Sequence, residues 1–198
     1  MEFDIRPYHK TDLSSIYRIC LLNGFNGHDA TLYLKDPDLV GHLFAAPYAI
    51  FEPSFCFVLT IDFQLCGYVL GTSDSIMFND TCEKNWYPML RKRYPLPNED
   101  EDTLEAHFIR YLHNKQILFK WNNDYPAHLH IDILPIAQKK GYGSKLIKVF
   151  INQLNCFKIK GVHLVVSKKN QNAIEFYKKV CFKELEELEE SIVFGQKL

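Results

Sequence analysis

Apolar positions along this chain switch between a period of two and a period of about 3.6, and each switch marks an element boundary. FDIRPY at 3–8 alternates and reads as a short strand. "TDLSSIYRICLLNG" follows, with Leu13, Ile16, Tyr17 and Cys20 on one helical face, Thr11 placed as N-cap and Gly24 as stop. The next stretch, broken by Asp-Pro and Ala-Pro, predicts a short helix between loops. "FCFVLTID" and "CGYVLGTS" predict two strands joined by a tight turn near Asp62–Gln64. "AHLHIDIL" at 127–134 alternates and stops at Pro135. A helix with Leu146, Ile147, Phe150, Ile151 and Leu154 on one face follows, then "VHLVVS" at 162–167 as a strand. Asn170 is placed to cap "QNAIEFYKKV", and "FKELEEL" and "SIVFGQKL" read as two antiparallel strands.

Residues 74–126 break this alternation. They hold both tryptophans, several prolines and the acidic run "NEDEDTLE", with helical periodicity in "CEKNWYPMLRKRY" and "DTLEAHFIRYLHN". The acidic run suits a solvated helix N-terminus, where carboxylates face the positive end of the helix dipole. The predicted order is β-α-(α)-β-β, a helical insert, then β-α-β-α-β-β. That order predicts an α/β or α+β sheet with helices on both faces.

Composition narrows the functional classes. With 198 residues and 47% hydrophobic content, the chain suits one globular domain carrying an insert. A net charge of -1 argues against a broad nucleic-acid-binding surface. Cys20, Cys56, Cys66, Cys82, Cys156 and Cys181 show no CxxC spacing and mostly lie in apolar runs, which reads as buried thiols in a reducing compartment. The opening MEFDIRPYHK has no apolar core of a signal peptide, and PSFCFVLTI is too short to span a bilayer. The expectation is a cytoplasmic protein, monomer or homodimer, without membrane, nucleic-acid or metal partners.

The chemistry concentrates in "QKKGYGSKLIKVF", 138–150. Glycines two residues apart at a helix start permit unusual backbone angles and close ligand approach. Free N–H groups there form an anion-binding concavity, to which the helix dipole adds. Gln138 to Ser144 is therefore a candidate pyrophosphate cradle. The spacing matches neither a P-loop nor the dinucleotide fingerprint, and by itself fits an ordinary strand–turn–helix.

This turn follows "IDILP" and precedes "NQNAIEFYKKVCF" by about thirty residues. Together these motifs resemble the GNAT superfamily of acetyl-CoA-dependent N-acyltransferases, whose element order fits residues 3–198. "DATLYLKDPDL", "PYAIFEP", "GYVLG" and "YPAHLHIDILP" look most like stand-alone bacterial acetyltransferases, which are similar to the acetyltransferase-like domain of some O-GlcNAcases. The resemblance implies a mixed, mostly antiparallel sheet of about seven strands with a splayed central parallel pair. It implies acetyl-CoA as co-substrate and a primary amine as acceptor. Ile133 and Leu134 would pair with the pantetheine arm. Gln138, Lys139, Lys140, Gly141, Tyr142, Gly143 and Ser144 would hold the pyrophosphate. Asn170, Ala173, Phe176 and Tyr177 match the later helix, and Tyr177 matches the tyrosine facing the departing sulfur.

The base is less determined. The glutamate of histone acetyltransferases falls by spacing on Ala127, which cannot act as one. His128, His130 and Asp132 share the other face of that strand, and each also suits a structural role. Asp132 is the candidate base and His130 a candidate acceptor contact. Phe25, His28, Asp29, Tyr33, Trp86 and Trp121 either form an acceptor pocket or pack the insert onto the sheet. Cys181 stands where the family usually has glycine, so a left-handed backbone there would be strained. A non-catalytic acyl-CoA-binding or interaction module is the alternative function.

Overall fold

The computed structural model describes residues 2–114 and 120–198. Its strands are β1 (Phe3–Pro7), β2 (Cys56–Ile61), β3 (Gln64–Thr72), β4 (Ala127–Ile133), β5 (Gly161–Ser167), β6 (Lys183–Glu187) and β7 (Ser191–Lys197). They form one seven-stranded sheet in the order β1-β2-β3-β4-β5-β7-β6. All neighbours are antiparallel except β4 and β5. That parallel pair is joined only at Ala127–Val162 and His128–His163, and then diverges. Both strands are internal, so the divergence opens a gap in the middle of the sheet.

Strict alternation along β2 and β3 sends neighbouring side chains to opposite faces. Val58, Tyr68 and Leu70 join one core, under α1 (Leu13–Leu21), α2 (Leu39–Phe44), α3 (Ala46–Phe51), α4 (Ser75–Asn85), α5 (Tyr87–Arg93) and α6 (Leu104–His113). Leu59, Val69 and Leu129 join the other, under α7 (Tyr142–Cys156) and α8 (Gln171–Lys179). The helical face of α7 is as expected, with Leu146, Ile147, Phe150 and Leu154 buried and Ile151 partly so. The predicted insert includes residues 115–119, which lie outside the described residues; within the rest of it stand α4, α5 and α6.

Local signals were followed unevenly. Asp62 and Phe63 take positive φ (45° and 67°) and make the two-residue turn between β2 and β3. Asn170 caps α8, its Oδ1 accepting from the Ala173 N–H at 3.1 Å. Thr11 does not cap α1: it lies inside a 3-10 turn, Lys10–Asp12, that precedes the helix. His9 and Asp12 cap that turn reciprocally, and the Asp12 carboxylate also takes a two-pronged bond from Arg6. Helix α1 ends at Leu21, three residues before Gly24.

Candidate functional site

The turn after β4 is built by backbone rather than by side chains. Pro135–Ala137 form a 3-10 turn, Lys139 takes φ +58°, and Gly141 takes φ +82° as N-cap of α7. No side chain caps that helix, so its first-turn amides keep their donor capacity at the positive end of the dipole. The two glycines act for different reasons. A Cβ on Gly141 would meet nothing, and there only the left-handed backbone demands glycine. Gly143 sits within α7 at ordinary φ, and a Cβ on it would come 2.9 Å from the Phe176 ring. Gly143 thus lets α8 approach the turn.

The turn borders a cleft of about 430 Å³. Of the predicted residues, Asp132, Ile133, Gln138, Lys139, Gly141, Gly143, Ser144, Asn170, Ala173, Phe176, Tyr177 and His28 line it. Lys140 and Tyr142 do not: Tyr142 stacks on Phe3 with ring centroids 4.1 Å apart, and the Lys140 ammonium lies over the same Phe3 ring. Only their backbone can serve the turn. Leu134 is corrected as well. Its N–H donates to the Cys66 carbonyl on β3, and strand alternation then turns the backbone groups of Ile131 and Ile133 toward the open side. Consistent with this, the Ile133 carbonyl accepts from Gln138 Nε2 at 2.7 Å.

Asn23, Asn26, Gly27, Asn172, Glu175 and Lys179 also line the cleft and were missed in the sequence. One signal was present: the Asn-Gly pair at 26–27, which takes positive φ (52° and 85°) in a turn closed by the Phe25–His28 bridge. This turn reaches across to α8, where a Cβ on Gly27 would lie 3.1 Å from Asn170 Nδ2.

Asp132 on β4 and Tyr177 on α8 both line this cleft. The Tyr68 hydroxyl, itself buried across the register on β3, donates a short hydrogen bond to the Asp132 carboxylate. Burial outweighs that bond and pushes the Asp132 carboxyl up to about 6. Tyr177 is 7% exposed and packs against Phe182 and Phe194. Burial, with the Asp132 charge adding to it, raises its phenol above the usual range and keeps the proton on oxygen. Its backbone is fixed by a Schellman motif: Phe182 N–H donates to the Tyr177 carbonyl and Cys181 N–H to that of Lys178. Cys181 takes φ +70°, the strained angle the sequence anticipated.

A second cavity of about 250 Å³ is lined by His128, His130, Leu129, Leu164 and Val165 from the two diverging strands. Its other walls come from 43–48 and from the insert, including Tyr48, Ser75, Tyr87 and Tyr111. Of the residues named for an acceptor pocket, His130 lines this cavity and His28 the first cleft. Phe25 and Tyr33 pack against each other with tilted rings, centroids 4.5 Å apart, and line neither cavity. Asp29 is held by the Thr31 N–H and hydroxyl in its own exposed turn. Trp86 packs into the helical core and donates to the His42 carbonyl at 2.8 Å. Trp121 is buried outside both cavities. Among the described residues, no cluster of His, Cys, Asp or Glu suits a metal ion, and no helix is long and apolar enough to cross a membrane.

Comparison with known proteins places this architecture. Residues 121–191 match the family model of FR47-like proteins. The crystal structure of SsHAT is 33% identical and superposes with a TM-score of 0.93, covering 100% of this chain and 98% of that one. The chain belongs to the GNAT superfamily. The FR47-like match in this GNAT chain spans β4 through β6, the stretch that supplies most of the cleft. The PaiA N-acetyltransferase of Thermoplasma acidophilum, solved in complex with coenzyme A, shares the GNAT fold at 14% identity and a TM-score of 0.61, with 100% of each chain covered. Protein O-GlcNAcase of Rattus norvegicus and of Mus musculus are each 27% identical over 184 residues. Those matches take in 91% of this chain and 20% of the relatives, so the chain spans about one fifth of their length.

Proposed function

We propose that this GNAT chain is an N-acetyltransferase that moves an acetyl group directly from acetyl-CoA to a primary amine. The observation that carries the reading is the divergence of β4 from β5 after His128 and His163. It leaves a free edge of β4, an uncapped helix start and Tyr177 on one cleft. Acetyl-CoA supplies an activated thioester. The backbone groups of Ile131 and Ile133 suit the amides of its pantetheine arm. The first-turn amides of α7 suit its pyrophosphate, and Lys139 and Lys179 add positive charge at the rim. When the amine nitrogen bonds to the acetyl carbon, Asp132 takes the proton that nitrogen must lose. As the carbon–sulfur bond breaks, the Tyr177 hydroxyl donates its proton to the departing sulfur. The directions of both groups' proton affinities fit these roles near neutral pH, with the carboxylate ionised and the phenol protonated.

The test is thiol release from acetyl-CoA across a panel of amines, with Tyr177→Phe as the control. The ring still fills its place in the variant, so acetyl-CoA affinity should hold while turnover falls by about 100- to 10,000-fold. Wild-type turnover by Tyr177→Phe would remove the phenol from the chemistry. The match to one fifth of O-GlcNAcase favours a second reading, a non-catalytic acyl-CoA-binding module. That reading requires binding without thiol release toward any amine.

A further inference from the structure

The histidines of the second cavity are tied into one hydrogen-bonded chain whose direction can be worked out. Ser75 Oγ donates to the Pro126 carbonyl at 2.6 Å, so its oxygen must accept from His128 Nδ1, 2.7 Å away. His128 carries its single proton on Nδ1, which makes Nε2 an acceptor for the Tyr48 hydroxyl at 2.8 Å. The Tyr48 oxygen, its own proton spent, accepts from His130 Nε2 at 3.1 Å. His130 is thereby left with Nδ1 as its acceptor nitrogen. The chain ends on a peptide carbonyl, which cannot take up a proton. It therefore acts as an anchor that fixes a tautomer, not as a proton wire.

A second feature is independent of the first. Among the described residues lining this cavity there is no Asp, Glu, Lys or Arg. The titratable groups lining the cavity with His130 are Tyr48 from α3, Tyr87 from α5, Tyr111 from α6, His128 from β4 and His163 from β5; Asp132, two residues along the same face of β4, takes the Tyr68 hydroxyl's bond and lines the first cleft instead. Burial drives Tyr48 and Tyr87 up and His128 and His163 down, all toward their neutral forms. Desolvation brings His130 down to about 4, so it too stays neutral. A cation held among these walls would lose its hydration with no carboxylate among the described lining residues to offset the loss.

From these two observations we infer that the second cavity admits the acceptor as an uncharged, weakly basic primary amine, of the aryl amine class, with one N–H donated to His130 Nδ1. His130 is then a specificity-determining contact, and Tyr48, His128 and Ser75 are positioning residues. The inference rests on the proposed transfer reaction, in that the amine's lone pair is turned toward the gap between β4 and β5 that the acetyl group would reach from the other side.

Equilibrium binding of aniline and benzylamine to the full chain loaded with CoA tests this between pH 7 and 9. Asp132, near 6, remains ionised throughout that range. Aniline affinity should be flat with pH. Benzylamine should bind more weakly at pH 7 and tighten by up to about tenfold per pH unit while its neutral fraction grows. Tyr48→Phe keeps the ring but frees the His130 tautomer, and should weaken aniline by about tenfold, the worth of one hydrogen bond, without changing acetyl-CoA affinity. Ser75→Ala should act in the same direction. Benzylamine binding that is tighter than aniline and indifferent to pH would overturn the inference with the wild-type protein alone. Unchanged aniline affinity in folded Tyr48→Phe and Ser75→Ala would remove the anchor. Binding of acetyl-CoA without binding of either amine would sink the cavity assignment and leave the cofactor reading standing. Amine binding without acetyl-CoA binding would do the reverse.

Discussion

Cys181 occupies a left-handed position that closes a Schellman motif, and its own side chain is exposed. A Cβ at that angle is disfavoured, whereas glycine is not. Cys181→Gly should therefore raise the free energy of unfolding by about 1 kcal/mol in a denaturant titration, and a loss of stability would refute the strain. Asp132 gives a prediction with a pH sign. Its folded-state proton affinity is raised to about 6, above the ordinary carboxyl. Between about pH 4 and 6 the unfolded chain ionises first, so the native state binds more protons and wild-type stability falls as pH rises. Below that window the contribution is absent, and above it the loss is constant. Asp132→Asn lacks this loss. Its stability relative to wild type should thus improve from pH 4 to pH 7 by about 1–2 kcal/mol. Equal differences at both pH values would show that the carboxyl is not desolvated. If Asp132 also serves as the base, wild-type turnover should rise through about pH 6 and level off.

At the scale of elements, the start of α7 is shaped by two glycines under different constraints. Gly141→Ala meets no neighbour and carries only the cost of a positive φ, about 1 kcal/mol. Acetyl-CoA affinity should change little, because the approach to the first-turn amides stays open. Gly143→Val drives a branched side chain into the Phe176 ring. It should push α8 from the turn, carry Tyr177 with it and abolish acetyl-CoA binding by calorimetry. A reversed ranking of the two variants would mean that α8 is not seated on the turn. The cap of α8 is a smaller test of the same join. Asn170→Ala removes the Oδ1 acceptor for Ala173 N–H and should cost about 1 kcal/mol.

At the scale of the molecule, the gap is the consequence of one parallel pair held at only two residue positions. Helices pack on both faces of the sheet, and two cavities open beside the same diverging pair. Acetyl-CoA should stabilise the whole fold by mass action, by about 2.7 kcal/mol at a hundredfold excess over its dissociation constant. A thermal melt that does not move with acetyl-CoA would contradict the cleft assignment.

The sequence by itself determined the strands and their order, because apolar periodicity and local breakers act within a few residues, but the one short helix expected before β2 is two, α2 and α3. It also marked the turn at 138–144 and the Asn170 cap, backbone demands legible at single positions, whereas Cys181 stood out only against the glycine usual in the family it resembles. It did not determine which side chains share a space. Lys140 and Tyr142 lie inside the motif yet are drawn to Phe3, a residue of the distant β1. Leu134 lies beside Ile133 yet faces β3, because the strand register fixes which backbone groups are spent. Trp86 is spent in the core, while Tyr48 and Ser75, unremarkable in the sequence, orient the histidines of β4. Those outcomes depend on contacts between residues tens of positions apart, and only the packing of the two helical layers on the sheet decides them.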